Sequence, residues 1–278
     1  MSFWGGKRVL VTGGSSGLGR IMAEAFARAG ARVAIAALEP GAAENAAREI
    51  AVATGAETFG STINITRQED VDRLVGEVQD RWGSGHGNAK NDDGLDILVN
   101  NAGRSMRGKV STTTPEQFRE LMELNFIAMV RITLGFLPML LTSRGSVVNI
   151  GSLAAKSASR WVGAYPATKH AVAAYSQQLR LELGPEGLHV LLVCPGPIQR
   201  KDERLYPLDG LEDCPERARR PGAGVQVKTI PPEYLCSRIL RACEKREPEL
   251  VIPGKARLLF AIAQLWPTLG DRIVLRKT

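Results

Sequence analysis

The feature that most constrains the fold is a regular alternation of short apolar segments with helical ones. KRVLVTGG at 7–14 and ARVAIAAL at 31–38 are apolar throughout, and each leads into a stretch with helical spacing of its apolar residues. Strands without polar alternation are typical of parallel sheets that are covered on both faces. The pattern therefore predicts an α/β fold with a single doubly wound parallel sheet.

Five further apolar segments extend this sheet to about seven strands. They are residues 57–63 and the stretches LDILVNNAG, GSVVNIGS, LHVLLVCPG and EPELVIP, separated by predicted helices over about 67–82, 115–141, 164–184 and 231–246. Residues 83–94 are polar and glycine-rich, which predicts an exposed loop. Residues 199–229 are rich in proline, glycine and charge, and we interpret them as a lid or substrate-binding segment. One domain over 1–253 is expected, followed by a helical extension over 254–278.

Composition excludes several classes of function. With 44% apolar and 23% charged residues the chain is an ordinary globular one, so disorder is not expected. The four cysteines form no C-x-x-C pair and have no neighbouring histidine, which indicates a reduced, cytoplasmic chain without a metal site. The net charge of +7 favours anionic ligands, but no recognition motif supports binding to nucleic acid.

TGGSSGLG at 12–19 joins the first strand to the first helix. Glycines allow the backbone to turn tightly and to approach a ligand closely. The exposed N–H groups of a helix N-terminus favour an anion such as a pyrophosphate. At this position the turn indicates dinucleotide binding.

RWVGAYPATKH at 160–170 places Tyr165 and Lys169 one helical turn apart, on the same face of a helix that Pro166 starts. Taken alone, the pair is typical of a solvated helix face. Other motifs of the chain must decide whether the pair has a chemical role.

Five motifs in a fixed order connect these observations. They are T-G-x-x-x-G-x-G at 12–19, Asn-Asn-Ala-Gly at 100–103, Ser152, Tyr165-x-x-x-Lys169, and Pro195–Gly196. This set closely resembles the short-chain dehydrogenase/reductase family, from about residue 7 to residue 199. The resemblance implies a Rossmann-type fold and hydride transfer between a nicotinamide and a carbonyl or alcohol carbon.

The same resemblance assigns a catalytic role to four residues. Tyr165 would donate or accept the proton, and Lys169 would favour the phenolate and bond the nicotinamide ribose. Ser152 would hold the substrate oxygen. Asn125 matches an asparagine that supports a proton-relay water.

Cofactor contacts are implied at several strand ends. Asn101 is expected to stabilise the sheet as well, and Asn64 replaces the usual aspartate that accepts from the adenine amino group. Where a threonine of the family often bonds the nicotinamide carboxamide, this chain has Arg200. Either Gln199 or backbone groups would form that bond instead, or the following loop is arranged differently. The predicted contacts are Gly13, Ser15, Ser16, Gly17, Leu18, Gly19, Ala37, Leu38, Asn64, Ile65, Asn101, Ala102, Gly103, Tyr165, Lys169, Pro195, Gly196 and Ile198.

Preference between the two nicotinamide cofactors depends on the end of the second strand. Ala37 stands where NAD-preferring members usually carry an acidic residue for the ribose 2′-hydroxyl. Leu38 replaces the arginine that NADP-preferring members often have next, and Arg20 is one possible substitute. Because no carboxylate at this position repels a 2′-phosphate, the sequence favours NADP(H) over NAD(H).

Residues 254–278 combine apolar side chains, a tryptophan and basic residues. Together with the segment before them they loosely resemble the C-terminal part of membrane-associated members such as 3-ketodihydrosphingosine reductase-like and other lipid or steroid reductases. Two alternatives stay open. The extension forms an interfacial helix pair on a membrane, or it packs against a second subunit or the parent domain.

We therefore expect an NAD(P)(H)-dependent oxidoreductase that acts on an apolar carbonyl or secondary alcohol, a substrate that is lipid-like or steroid-like. A non-catalytic dinucleotide-binding sensor or scaffold is the alternative. The long helices at 115–141 and 164–184 suggest a homodimer or homotetramer.

Overall fold

Seven parallel strands form one sheet in the computed structural model, which describes residues 2–83, 94–199 and 214–277. The strand order is β3-β2-β1-β4-β5-β6-β7, so the direction of winding reverses between β1 and β4. The strands are β1 Arg8–Thr12, β2 Arg32–Ala37, β3 Thr58–Thr62, β4 Ile97–Asn100, β5 Ser146–Ile150, β6 His189–Pro195 and β7 Glu249–Ile252. The predicted doubly wound sheet is confirmed, and its carboxyl ends meet along one edge.

Helices cover both faces of this sheet, which explains why the strands are apolar throughout. On β1, Val9 and Val11 pack under the helices of one face and Leu10 packs under those of the other. The first face carries α1, α2 and α7, and the second carries α3, α5 and α6. The helices are α1 Gly17–Arg28, α2 Ala42–Thr54, α3 Gln68–Trp82, α4 Pro115–Met122, α5 Ala128–Thr142, α6 Tyr165–Leu183, α7 Pro232–Glu244, α8 Ala256–Leu265 and α9 Pro267–Lys277.

The helix predicted over 115–141 is continuous in the structure but not uniform. A π-helical turn, Glu123–Ile127, joins α4 to α5. The combined segment, Pro115–Thr142, is long and apolar enough by composition to cross a bilayer. In this fold Ile132, Phe136 and Leu140 are fully buried against the sheet, so core packing accounts for that composition.

The C-terminal extension is a pair of helices, as expected. Gly270 of α9 lies so close to Ala263 of α8 that an added Cβ would be 2.6 Å from the Ala263 Cα. Phe260 packs against the buried cluster that contains Val251. Leu258 and Leu265, on the outside of the pair, are 68% and 67% exposed. The extension therefore packs on its own domain through one face and keeps a second apolar face exposed.

Candidate active site

The glycine turn lies between β1 and α1. Gly13 and Gly17 have positive φ angles of 62° and 54°, which L side chains rarely adopt. A Cβ on Gly19 would lie 2.1 Å from the Gly13 carbonyl oxygen. Ser16 is the N-cap of α1, whose first turn contains no acidic side chain. The glycines let the backbone come close to a ligand, and no carboxylate offsets the positive end of the α1 dipole. Both features suit a pyrophosphate, so the phosphates of a dinucleotide fit here.

Polar side chains hold this turn against the end of β4. The Asn101 amide donates to the carbonyl oxygens of Thr12, at 3.0 Å, and Gly13, at 3.1 Å. The Thr12 hydroxyl in turn accepts the backbone N–H groups of Asn101 and Ala102, both at 3.1 Å. The structure thus brings Asn101 and Ala102 to the glycine turn, where they fix the crevice at the reversal of the strand order.

We expect Gly19→Ala to destabilise the fold by about 1–3 kcal/mol, because the added methyl group meets backbone atoms that cannot yield. Dinucleotide binding should weaken as well, since the turn must shift. Urea denaturation and a cofactor titration measure both effects. Gly76→Ala is the matched control: it lies within α3 in open space, and alanine there should stabilise by about 0.5–1 kcal/mol. Equal effects of the two changes would contradict this account.

The residues predicted for the adenosine half lie at the ends of β2 and β3. Ala37 ends β2 and is buried, whereas Leu38 is exposed. The Asn64 side-chain oxygen accepts from the backbone N–H and the hydroxyl of Thr66, at 3.0 and 2.7 Å. Asn64 therefore forms a local turn, and Ile65 is buried beside it.

Arg20, considered above as a partner for a 2′-phosphate, lies on the exposed side of α1. Its guanidinium forms an ion pair with Glu49 of α2. An exposed pair of this kind contributes little to stability, about 0–1 kcal/mol, so it does not fix the arginine in place.

The residues predicted to transfer the proton come together at the carboxyl ends of β5 and β6. Tyr165 is the first residue of α6 and Lys169 follows one turn later, with its Nζ 5.8 Å from the centre of the Tyr165 ring. Ser152 follows β5 in an extended conformation, and its hydroxyl accepts the Ala154 N–H at 3.1 Å. The Ser152 hydroxyl hydrogen can then be donated to a ligand oxygen.

Lys169 is only 8% exposed, although it carries an amine. The Nζ donates to the carbonyl oxygen of Ile150 at 2.7 Å. Burial, the largest cause, lowers the pKa of the Lys169 amine to about 8. Cys194 lies near the Lys169 amine, and burial raises the pKa of its thiol to about 12. Below the pKa of its amine, Lys169 supplies a positive charge next to Tyr165.

Asn125 lies in the π-helical turn Glu123–Ile127 and is buried. Its side-chain oxygen accepts the Arg104 N–H at 2.9 Å, and its amide donates to the Arg104 carbonyl at 2.9 Å and to the Thr168 hydroxyl at 3.1 Å. Its side chain thus ties the loop after β4 to the residue before Lys169. The predicted role beside a relay water stays a prediction.

Ser152, Tyr165 and Lys169 line one cavity of about 1020 Å³, which we call the catalytic cavity. Five other predicted contacts line it as well, namely Asn101, Gly103, Pro195, Gly196 and Ile198. Arg200 lies outside the described residues. Gln199, its predicted substitute, donates its backbone N–H to the Ile230 carbonyl at 2.8 Å.

Sequence reasoning missed that the C-terminal helices complete this cavity. Their apolar residues have helical spacing, which left three surfaces open for them to cover: a membrane, a second subunit or the parent domain. In the structure one face of each helix lines the cavity that also contains Ser152, Tyr165 and Lys169. From the extension the lining includes Lys255, Ala256, Leu259, Phe260, Ile273, Val274 and Lys277.

A buried polar network behind the site was also missed. The Asn100 amide donates to the Thr133 hydroxyl at 2.9 Å and to the Asn149 side-chain oxygen at 2.8 Å. The Asn149 amide donates to the Ser176 hydroxyl at 2.9 Å. These bonds connect β4 and β5 to α5 and to α6, the helix that carries Tyr165. Asn100 and Asn149, each next to apolar residues of a predicted strand, were the feature of the sequence that could have indicated this network.

Comparison with known proteins agrees with this geometry. The profile of the short chain dehydrogenase family matches residues 7–203. "Dehydrogenase/reductase SDR family protein 7-like" of Drosophila melanogaster is 29% identical, over 95% of this chain and 78% of that protein. A sorbitol dehydrogenase of Cereibacter sphaeroides is 34% identical, over 69% of this chain and 71% of its own length.

A crystal structure of a short-chain dehydrogenase from Streptomyces avermitilis has the same fold. It is 29% identical, superposes with a TM-score of 0.77, and the match covers 96% of this chain and 94% of that one. The glycine turn, the Ser152, Tyr165 and Lys169 set and these matches agree. The chain belongs to the short-chain dehydrogenase/reductase family of oxidoreductases.

Proposed function

We propose that the chain transfers a hydride between NADP(H) and a carbonyl or secondary alcohol of an apolar substrate, with Tyr165 as the general acid and base. The observation that carries this proposal is the shared cavity. Ser152, Tyr165 and Lys169 form one side of it, and apolar residues of α8 and α9 contribute to the lining. A family member with this arrangement is suited to substrates that bury an aliphatic body next to the phenol.

The bound nicotinamide would supply the hydride, and the residues of this chain would supply binding and the proton. The glycine turn would hold the diphosphate. The Ser152 hydroxyl would donate to the substrate oxygen, and the Tyr165 hydroxyl would give its proton to that oxygen as the hydride arrives. The Lys169 ammonium would stabilise the phenolate that remains.

The experiment is a turnover assay with a panel of aliphatic ketones and aldehydes and with either reduced cofactor. Consumption of the cofactor with stoichiometric formation of alcohol would support the proposal. The corresponding panel of alcohols with either oxidised cofactor tests the reverse direction. Tight cofactor binding without turnover in both directions would favour the alternative of a non-catalytic dinucleotide-binding sensor or scaffold.

The proposed preference for NADP(H) depends on Ala37, which leaves no carboxylate at the end of β2. Ala37→Asp should reverse the preference, because the new carboxylate would accept from a ribose 2′-hydroxyl and repel a 2′-phosphate. We expect the ratio of the Kd values for NADPH and NADH to change at least tenfold in favour of NADH, or about 1.4 kcal/mol. Ala37→Asn, which adds similar bulk without charge, is the control. An unchanged ratio in the aspartate variant would show that another group recognises the ribose.

Location and assembly stay predictions. The outer face of α8 and α9 exposes Leu258, Leu265, Trp266, Leu269 and Leu275, which suits either peripheral contact with a membrane or contact with a second subunit. A cytoplasmic location and a homodimer or homotetramer remain our expectations.

A further inference from the structure

The lining of the catalytic cavity has charge of one sign only. Within the described residues it contains seven basic side chains and neither aspartate nor glutamate. The whole chain carries 36 basic and 29 acidic residues, so an unbiased lining would mix the two signs. The basic residues are Arg104, Arg107, Lys169, Lys228, Arg238, Lys255 and Lys277. Such a lining concentrates positive potential where a ligand binds.

Four of these cations have roles of their own. Lys169 belongs to the catalytic set. Arg104 lies 3.6 Å from a carboxylate oxygen of Glu120. Arg107 is buried and donates to backbone and hydroxyl oxygens. Arg238 donates to the Tyr234 hydroxyl at 3.0 Å, and its helix α7 packs against α1, which starts at the glycine turn. Arg238 is therefore as well placed for the cofactor as for the substrate.

The remaining three, Lys228, Lys255 and Lys277, are exposed at the edge of the cavity, and we call them the rim lysines. Across the described ranges, 2–83, 94–199 and 214–277, no carboxylate lies within ion-pair distance of any of them. The Gln226 backbone N–H donates to the Lys277 carbonyl at 2.9 Å, so the segment that carries Lys228 lies against the end of α9.

The helix dipoles explain the position of one rim lysine but not that of another. Lys277 lies in the last turn of α9, where a cation is favourable. Lys255 precedes the first turn of α8, where the helix dipole disfavours a cation, and no acidic residue of that turn offsets it. A ligand anion at the cavity edge would compensate the charge of Lys255.

The same two helices provide apolar contacts for the rest of such a ligand. Leu259 and Phe260 of α8 and Ile273 and Val274 of α9 line the cavity together with the rim lysines. The cofactor diphosphate is expected at the glycine turn, whose residues do not line the cavity, so it leaves the rim lysines unneutralised.

We propose that the substrate is an anionic amphiphile: a carbonyl or alcohol compound with an aliphatic body that also carries a carboxylate, phosphate or sulfate group. The anionic group binds at the rim lysines, and the body lies along Leu259, Phe260, Ile273 and Val274. This inference rests on the proposed function, because it describes the substrate of the same site.

The test is calorimetric titration of the full chain, saturated with NADPH so that neither ligand can react, with decanoate below its micelle concentration and with decan-1-ol as the uncharged counterpart. Decanoate should bind at least tenfold more tightly than decanol. In the Lys228→Glu/Lys277→Glu variant the affinity for decanoate should fall at least tenfold, and the affinity for decanol should stay the same. Arg272→Glu/Arg276→Glu is the matched control. It makes the same charge change on exposed α9 residues that do not line the cavity, and it should bind decanoate like the wild type.

Equal affinities for the two ligands, or an equal loss of decanoate affinity in both double variants, would overturn the inference. Binding to anionic phospholipid vesicles without binding of free decanoate would overturn it too, because the cations would then serve a lipid surface. None of these readings depends on turnover. If ketones are reduced and decanoate fails to bind preferentially, the proposed function stands without this substrate class. If decanoate binds as expected and no carbonyl is reduced, the proposed function fails.

Discussion

Tyr165→Phe is expected to lower kcat by about 10²- to 10⁴-fold, the usual contribution of a positioned general acid or base. The substitution removes only the hydroxyl, and the ring keeps its place at the start of α6, one turn before Lys169. Folding and the Kd of the nicotinamide cofactor should therefore change little. Steady-state turnover and cofactor titration on the same preparations measure the two effects separately.

Tyr234→Phe is the matched control, because Tyr234 also lines the catalytic cavity and its hydroxyl accepts from Arg238. This variant should keep a kcat near the wild-type value. If Tyr165→Phe kept more than a tenth of the wild-type kcat, or if both variants lost activity equally, Tyr165 would not be the proton donor.

Lys169→Met is expected to abolish most of the activity and to change how stability depends on pH. The pKa of the buried amine is lowered from 10.5 to about 8. Below pH 8 the Lys169 amine is protonated in both the folded and the unfolded wild type. The folded protein then bears the full cost of burying an ammonium. As pH rises from 8 to 10.5, the unfolded state binds more protons than the folded state, and the wild type gains stability.

Methionine fills similar space without a titrating group. The difference in unfolding free energy between Lys169→Met and the wild type should therefore shift by about 3 kcal/mol towards the wild type between pH 7 and pH 10.5. At pH 7 the variant should be at least as stable as the wild type, although the Ile150 carbonyl loses its partner, a loss of about 1–3 kcal/mol. Urea denaturation at both pH values gives the difference.

Lys245→Met, at an exposed lysine, is the control and should show no such shift with pH. A constant difference between Lys169→Met and the wild type across the pH range would mean that the folded protein does not bury a charged amine at this position.

The sheet and the central residues of the site could be predicted because their signals are local. An apolar run such as RVLVT identifies a buried strand wherever it packs, and parallel strands bring their carboxyl ends to one edge. Tyr165 and Lys169 are related by a single helical turn. Ser152 follows directly on β5, so its place at the sheet edge also follows from the strand assignment.

The π-helical turn around Asn125 could not be predicted in this way. The residues ELNFI fit an ordinary α-helix, and the partners of Asn125 are Arg104 and Thr168, which are 21 and 43 residues away in the sequence. The burial of Lys169 is equally non-local, because it depends on packing against β5 and β6.

The C-terminal helices show a third kind of limit. Helical spacing identified their apolar residues, but each helix has apolar residues on two sides. Phe260 and Leu258 are two residues apart, yet Phe260 lines the catalytic cavity and Leu258 is exposed. Only the packing of α8 on β7 decides which side of the helix faces the cavity.

Transfer of deuterium from the nicotinamide to the product tests the central claim, hydride transfer in the catalytic cavity, most directly. NADPH deuterated at carbon 4 of the nicotinamide, in each of its two stereochemical forms, would be supplied with a carbonyl substrate, and the alcohol would be analysed by mass spectrometry. The account predicts one deuterium on the carbinol carbon from one form only, because the cavity fixes one face of the nicotinamide against the substrate beside Tyr165. Alcohol without deuterium from either form, or with equal deuterium from both, would contradict hydride transfer in this cavity.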